Sequence, residues 1–322
     1  MRNSWIKNCL VNIRAFFTTN LRSRDNEALR RITALEDTVI DIRRFSYFNL
    51  MTYFSAHPEE AESYREEIEF LKRVGTWVTF PYPKCTDAET DSIRVQRHRG
   101  MPYVMHKGKR LYFPHGTPID AVRQQYFDYL HTECLLGHDD SKGKPHQYQS
   151  PRVHIKPGDT LFDIGAAEGI FALDNIEIAG KVILVESDPI WSEPLRATFA
   201  PWGDKVTFLK KNIGTEDNET TITLETLLRT YGNESAFIKM DIEGAEVATL
   251  SVAKDFLCQR KEALKLSLTT YHFQHDYQEL KDILDKTGFA VEDSSGHILF
   301  CQYDMPLPPY FRKGILRAHN TK

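Results

Sequence analysis

The chain has 322 residues, 41% hydrophobic and 27% charged, which is enough for a packed domain with an appendage and too apolar for a disordered or fibrous polypeptide. Its formal net charge of −4 lacks the basic excess of a nucleic-acid binder. Five scattered cysteines with no C-x-x-C pair argue against a disulfide framework and a structural zinc site, and point to a reducing, cytoplasmic setting.

The opening stretch MRNSWIKNCLVNIRAFF sets short apolar clusters among Arg2, Lys7 and Arg14, with no apolar run of signal-peptide or membrane-spanning length. The spacing of Trp5, Ile6, Leu10, Val11, Ile13, Phe16 and Phe17 predicts an amphipathic helix, packed on the protein or in peripheral contact with a membrane. Ala28, Ile32, Leu35, Val39 and Ile42 then follow a 4-3-4-3 spacing. That narrow seam could pair two copies into a homo-oligomer, although about two heptads fall short of a coiled coil. Residues 1–54 therefore read as a helical segment.

Pro58–Val74 predicts a further helix, acidic at its start and ending on Lys72 and Arg73, as the helix dipole favours. MPYVMHKGKRLYFP predicts a hairpin turning at His106-Lys107-Gly108. Ile119–Leu136 returns to a helical pattern, and GHDDSKGKPHQYQS (137–150) reads as a linker or mobile loop. Residues 55–150 thus form an accessory α+β region. From Val153 short β-rich runs alternate with helical stretches, which predicts an α/β, Rossmann-like parallel sheet over residues 151–303. The closing PLPPYFRKGILRAH reads as a basic tail, 304–322, whose Arg312, Lys313 and Arg317 could attract an acidic or phosphorylated substrate.

The run from Gly158 through Asp163-Ile-Gly165-Ala-Ala167-Glu-Gly169 reads as a strand passing through a tight turn into a helix. Glycine serves where φ is unusual or a ligand approaches the backbone. Ala167 stands where the dinucleotide fingerprint G-x-G-x-x-G needs glycine, so a pyrophosphate cofactor fits poorly. A nucleoside cofactor with an amino-acid end, S-adenosylmethionine, fits better, with Asp163 placed to orient its ammonium. KVILVESDP brings Glu186 to the end of a second strand, 17 residues after Gly169, where a carboxylate meets ribose hydroxyls. Asp188 is the nearby alternative. Asn212, read as ending a third strand, can donate to and accept from an adenine edge.

AFIKMDIEGAE sets Lys239, Asp241, Glu243 and Glu246 about the end of a fourth strand, facing the crevice where ligands of open α/β sheets sit. The next strand delivers His272 to the same edge. Methyl transfer requires a nucleophile about 3 Å from the methyl carbon and a group that takes its proton. His272 or Asp241 is the candidate base, with the other positioning the acceptor. No three groups stand at metal spacing in the sequence, so no metal is expected.

The blocks Asp163–Gly169 and Lys239-Met-Asp241-Ile-Glu243-Gly-Ala-Glu246 resemble those of the FkbM family of methyltransferases, a branch of the class I S-adenosylmethionine-dependent enzymes. The resemblance covers roughly residues 150–303, with weaker likeness at LYFP, TFAPWGDKV, TTYH and PYFRKGILRA. It implies a class I methyltransferase sheet with an N-terminal helical and small α+β extension, and O-methylation of a sugar, glycan or polyketide-type hydroxyl. It also implies Asp163, Gly165, Gly169 and Glu186 for the cofactor, with Asp241 and Glu243 in the active crevice. Ala167-Glu168 departs from the family pattern, where many members carry Asn. Two other readings stand beside it: an NAD-dependent oxidoreductase, which Ala167 disfavours, and a non-catalytic cofactor-binding scaffold.

Overall fold

A 31-residue helix, α1 (Asn26–Ala56), leads into two short ones, α2 (Pro58–Glu62) and α3 (Arg65–Val74). The computed structural model describes residues 26–84, 89–136, 143–232, 234–304 and 306–321. The helix expected over the first 17 residues lies outside these, as do the side chains of Ala28, Ile32 and Leu35. Farther along α1, Leu50 and Phe54 pack with Ile68 and Leu71 of α3 on Leu299 and Phe311, while Ile42, Phe45 and Phe48 stay exposed. Where one helix was expected from Pro58 to Val74, a turn at Ser63–Tyr64 splits it and lets the Tyr64 ring stack on Phe311 at 4.7 Å.

Strands β1 (Val95–His98), β2 (Met101–His106) and β3 (Lys109–Tyr112) form an antiparallel sheet. Its second turn uses Lys107 and Gly108, both at positive φ, the backbone that matches the twist of a tight hairpin. Helix α4 (Ile119–Phe127) continues into a π-helical turn, Asp128–Thr132. Cys134 beyond it is disulfide-bonded, contrary to what the cysteine spacing predicts.

The remaining chain builds the main sheet in the order β4 (Thr160–Ile164), α5 (Ile170–Asn175), β5 (Lys181–Val185), α6 (Ser192–Phe199), β6 (Val206–Leu209). A small parallel pair, β7 (Asn212–Gly214) and β8 (Thr221–Thr223), precedes α7 (Leu224–Tyr231). Then come β9 (Ala236–Met240), α8 (Glu246–Gln259), β10 (Leu264–Thr269), α9 (Asp276–Thr287), β11 (Ala290–Asp293) and β12 (Ile315–His319). The seven strands lie in the order β11-β12-β10-β9-β4-β5-β6, with β12 antiparallel to both neighbours and the other neighbouring pairs parallel. This is the Rossmann-like, mostly parallel α/β sheet that the alternation of strands and helices predicts. The chain leaves β4 in one direction through β5 and β6, then crosses to β9, so the topological switch point lies between β4 and β9.

Both faces of the sheet are buried, which is why its strands read as nearly continuous apolar runs. Leu161, Val182, Leu184 and Phe237 pack toward α4 and α5, while Phe162, Ile183, Ile238 and Met240 pack toward α7, α8 and α9. The segment expected to be a basic tail instead supplies β12, with Ile315, Leu316 and Ala318 fully buried inside the sheet. Its cations are spent on structure. Arg317 pairs with Glu292 at 3.0 Å, Arg312 donates to the carbonyls of Tyr271 and His272, and neither faces the cavity described below. Among the described residues no helix is long and apolar enough to cross a membrane.

Candidate active site

A cavity of about 760 Å³ opens beyond the carboxyl ends of β4, β5, β9 and β10. Its floor is the turn after β4. Gly165 holds φ +71°, and a Cβ there would lie 1.8 Å from the Asp241 carbonyl oxygen, so only glycine lets the two strand ends meet. Ala167 also sits at positive φ, and its N–H donates to Glu186 Oε2 at 2.9 Å. Glu186 Oε1 accepts from Asp188 N–H at 2.7 Å. One carboxylate thereby ties the end of β5 to the glycine turn. Gly169 opens α5 at φ +80°, close against Leu195 and Phe199.

Gly165, Ala167, Glu186, Asp188, Asn212 and Lys239 line this end of the cavity. Two sequence expectations change. The third strand ends at Leu209, and Asn212 instead opens β7, although it still reaches the cavity. Asp163 is fully buried and absent from the wall, because Lys239, its register partner on β9, stands in between. Lys239 Nζ lies 3.1 Å from Asp163 Oδ1 and donates to Gly165 O at 2.6 Å. Burial works against that ammonium charge, but Asp163 and Asp241 hold it above the usual lysine range. Asp163 thus acts on the turn through Lys239.

The other end of the cavity gathers around Asp241. Tyr148 OH donates to Asp241 Oδ2 at 2.8 Å, and His146 Nε2 lies 3.1 Å from the Tyr148 oxygen and 3.2 Å from Tyr271 OH. His146 Nδ1 meets Glu133 at 3.1 Å. Burial disfavours a charged His146, yet Asp241 and Glu133 raise its pKa to about 9. The imidazolium then donates on both sides, which leaves the Tyr148 proton for Asp241. Burial alone would raise the Asp241 carboxyl, but His146 and Lys239 outweigh it and hold it well below the usual carboxylate range. His272, 1% exposed, lies beneath: Nε2 is 3.6 Å from Asp241 Oδ1 and 3.5 Å from Glu243 Oε2, and Nδ1 is 3.3 Å from Glu246 Oε1. Glu243 sits at φ +59°, accepts from Tyr303 OH, and is pushed up by burial and by Asp241. In the glycine turn, burial raises Glu168 to about 7.

His146 and Tyr148 come from the stretch expected to be a linker. Its carbonyls are pinned in succession: Pro145 O by Ser294 Oγ at 2.8 Å, Gln147 O by Arg317 at 2.7 Å, and Tyr148 O by Ser267 Oγ at 2.8 Å. Histidine and tyrosine two apart share one face of an extended segment, and that was the available signal. Glu133 and Tyr129 reach the cavity from the π-helical turn and the residue after it, a distortion common at functional sites. The sequence suggests no metal spacing, yet ligand atoms of Asp241, Glu246 and His272 lie within 4.8 Å of one another.

Residues 173–291 match the family model of the methyltransferase FkbM domain. Over that segment the chain is similar to the methyltransferase FkbM domain. The FkbM match is narrower than the likeness over residues 150–303: it starts inside α5, past the glycine turn, and takes in Glu186, Asn212, the Lys239–Glu246 block and His272. No curated protein matches the chain. Among solved structures, the chain is similar to an FkbM methyltransferase from Methylobacillus flagellatus, with 17% identity, 62% of this chain and 54% of that one covered, and a TM-score of 0.42. It is also similar to a magnesium protoporphyrin IX methyltransferase from Synechocystis with bound S-adenosylmethionine (14% identity, 51% and 71% covered, TM-score 0.34). A third is an S-adenosylmethionine-dependent O-methyltransferase from Thermotoga maritima (16% identity, 53% and 62% covered, TM-score 0.33). The chain spans about half the length of the first of these.

Proposed function

We propose that the cavity binds S-adenosylmethionine and that the domain methylates a hydroxyl oxygen of a sugar, glycan or related small acceptor. The observation that carries this reading is the meeting of Gly165 with Asp241, which sets the glycine turn, Glu186 and the acid cluster on one continuous wall. Each Glu186 oxygen accepts one backbone N–H and keeps a lone pair for a ribose hydroxyl. Asp188 and Asn212 flank it for the nucleoside edges. When bound, S-adenosylmethionine supplies an electrophilic sulfonium methyl.

Asp241 accepts a hydrogen bond from the acceptor hydroxyl and takes its proton only as the new C–O bond forms and acidifies it, held in one orientation by Tyr148 on Oδ2 and faced by His272 across from Oδ1. Phe80, Tyr271 and Phe300 line the same end, and their ring faces suit the C–H surface of a sugar while excluding water. Orientation of this kind supplies on the order of 7–11 kcal/mol of a displacement barrier.

Calorimetry with S-adenosylhomocysteine tests the cofactor assignment, and a folded sample that fails to bind it would sink the reading. Asp241→Asn should keep that affinity within about threefold while turnover of labelled cofactor against a panel of saccharides falls about 100-fold or more. Equal turnover would remove Asp241 from the role of proton acceptor.

A further inference from the structure

Two buried ligand atoms beneath the acceptor end have no hydrogen-bond partner: Nδ1 of His272 and Oε2 of Glu246. Both side chains are almost wholly inaccessible, at 1% and 0% exposure. Glu246 Oε1 is already occupied, accepting from Ile242 N–H at 2.9 Å and Thr269 Oγ1 at 2.6 Å, so the orphan oxygen is the one with capacity to spare. The approach of His272 Nδ1 to Glu246 Oε1, 3.3 Å, does not satisfy the ring nitrogen. Leaving such groups unpaired in a buried site is destabilising. Asp241 closes the group: one ligand atom from each of Asp241, Glu246 and His272 lies within 4.8 Å of the others, and the Asp241 side chain is on the cavity wall.

We propose that Asp241, Glu246 and His272 bind one first-row divalent cation of the Mn²⁺ or Zn²⁺ type beneath the Asp241 end of the cavity. One imidazole with two carboxylates is a mixed nitrogen and oxygen donor set, which suits such ions better than Mg²⁺ or Ca²⁺, whose ligands are oxygens. Ligand atoms about 2.1 Å from a common ion stand at most about 4.2 Å apart. The 4.8 Å bound on the three ligand atoms lies close to that span. The ion would take one imidazole nitrogen and one oxygen from each carboxylate and leave positions open toward the cavity, where an acceptor hydroxyl could coordinate and lose its proton more easily. The methyltransfer reading bears on what the ion would do there, not on whether it binds.

The test is Mn²⁺ titration of the full, chelator-treated chain followed by electron paramagnetic resonance. One saturable site is expected, with nitrogen modulation in the pulsed spectrum from the coordinating imidazole. His272→Gln and Glu246→Gln should each weaken binding at least tenfold. Absence of saturable binding, or binding with no nitrogen coupling and unchanged in His272→Gln, would overturn the proposal. The pulsed spectrum needs only the wild-type chain, so the outcome stands even where a variant does not fold. S-adenosylhomocysteine calorimetry on the same sample separates the two failures, because a chain that binds the nucleoside and not Mn²⁺ loses only the metal.

Discussion

Gly165 and Asp241 meet backbone to backbone at the switch point of the sheet, so closely that the smallest side chain on Gly165 would overlap the Asp241 carbonyl. The contact joins the glycine turn to the cluster around Asp241. Gly165→Ala must therefore displace one strand end and also hold alanine at φ +71°. The left-handed backbone alone costs about 1–2 kcal/mol, and the overlap adds to it. Urea unfolding should show a loss of about 2 kcal/mol or more, with S-adenosylhomocysteine binding abolished. A variant as stable as the parent would mean the two strand ends can part freely.

Glu186 serves both the turn and the proposed ribose site. Glu186→Ala should weaken S-adenosylhomocysteine binding at least tenfold, since each charge-assisted hydrogen bond contributes about 1.5–3 kcal/mol. Calorimetry reads this directly, and an unchanged affinity would remove the ribose assignment.

Glu168 lines the cavity with a pKa lifted by burial from 4.5 to about 7. A cationic sulfonium nearby favours its carboxylate, so binding should expel a proton near neutral pH. S-adenosylmethionine affinity should then rise between pH 6 and pH 8, by at most about tenfold per pH unit. The neutral thioether S-adenosylhomocysteine should show a flatter profile. Glu168→Gln should remove the difference between the two ligands, and parallel profiles in the parent protein would refute the coupling.

Arg317 pins Gln147 from β12. Arg317→Met leaves that carbonyl and Glu292 without their partner, at a cost of about 2 kcal/mol or more. Because Gln147 lies between His146 and Tyr148, turnover should fall while S-adenosylhomocysteine affinity changes less than about threefold. Equal losses in both would assign Arg317 to general stability alone.

The glycine-turn end of the cavity was legible in the sequence because its parts are local. Gly165, Gly169 and Glu186 stand on consecutive strand ends, and strand period, turn glycines and a terminal acid are all short-range signals. Asp163 misled because the ammonium that covers it, Lys239, comes from a different strand 76 residues on. The acceptor end was half legible: Asp241 and His272 end strands, while His146 and Tyr148 ride on irregular chain whose shape is set by Ser267, Ser294 and Arg317. The strand at 315–319 was hidden by the prolines before it and by an arginine that a solvated strand would expose and this one buries.

The two ends of the cavity also differ in how far the chain must travel to close them. Ala167 reaches Glu186 across 19 residues, whereas Gln147 reaches Arg317 across 170. Loop-closure entropy and folding time both grow with such separations. The glycine-turn half can thus form early from neighbouring segments, and the half around His146 and Tyr148 waits for β12 to insert. Fraying of that one strand would leave the glycine-turn end standing and the Asp241 end unbuilt.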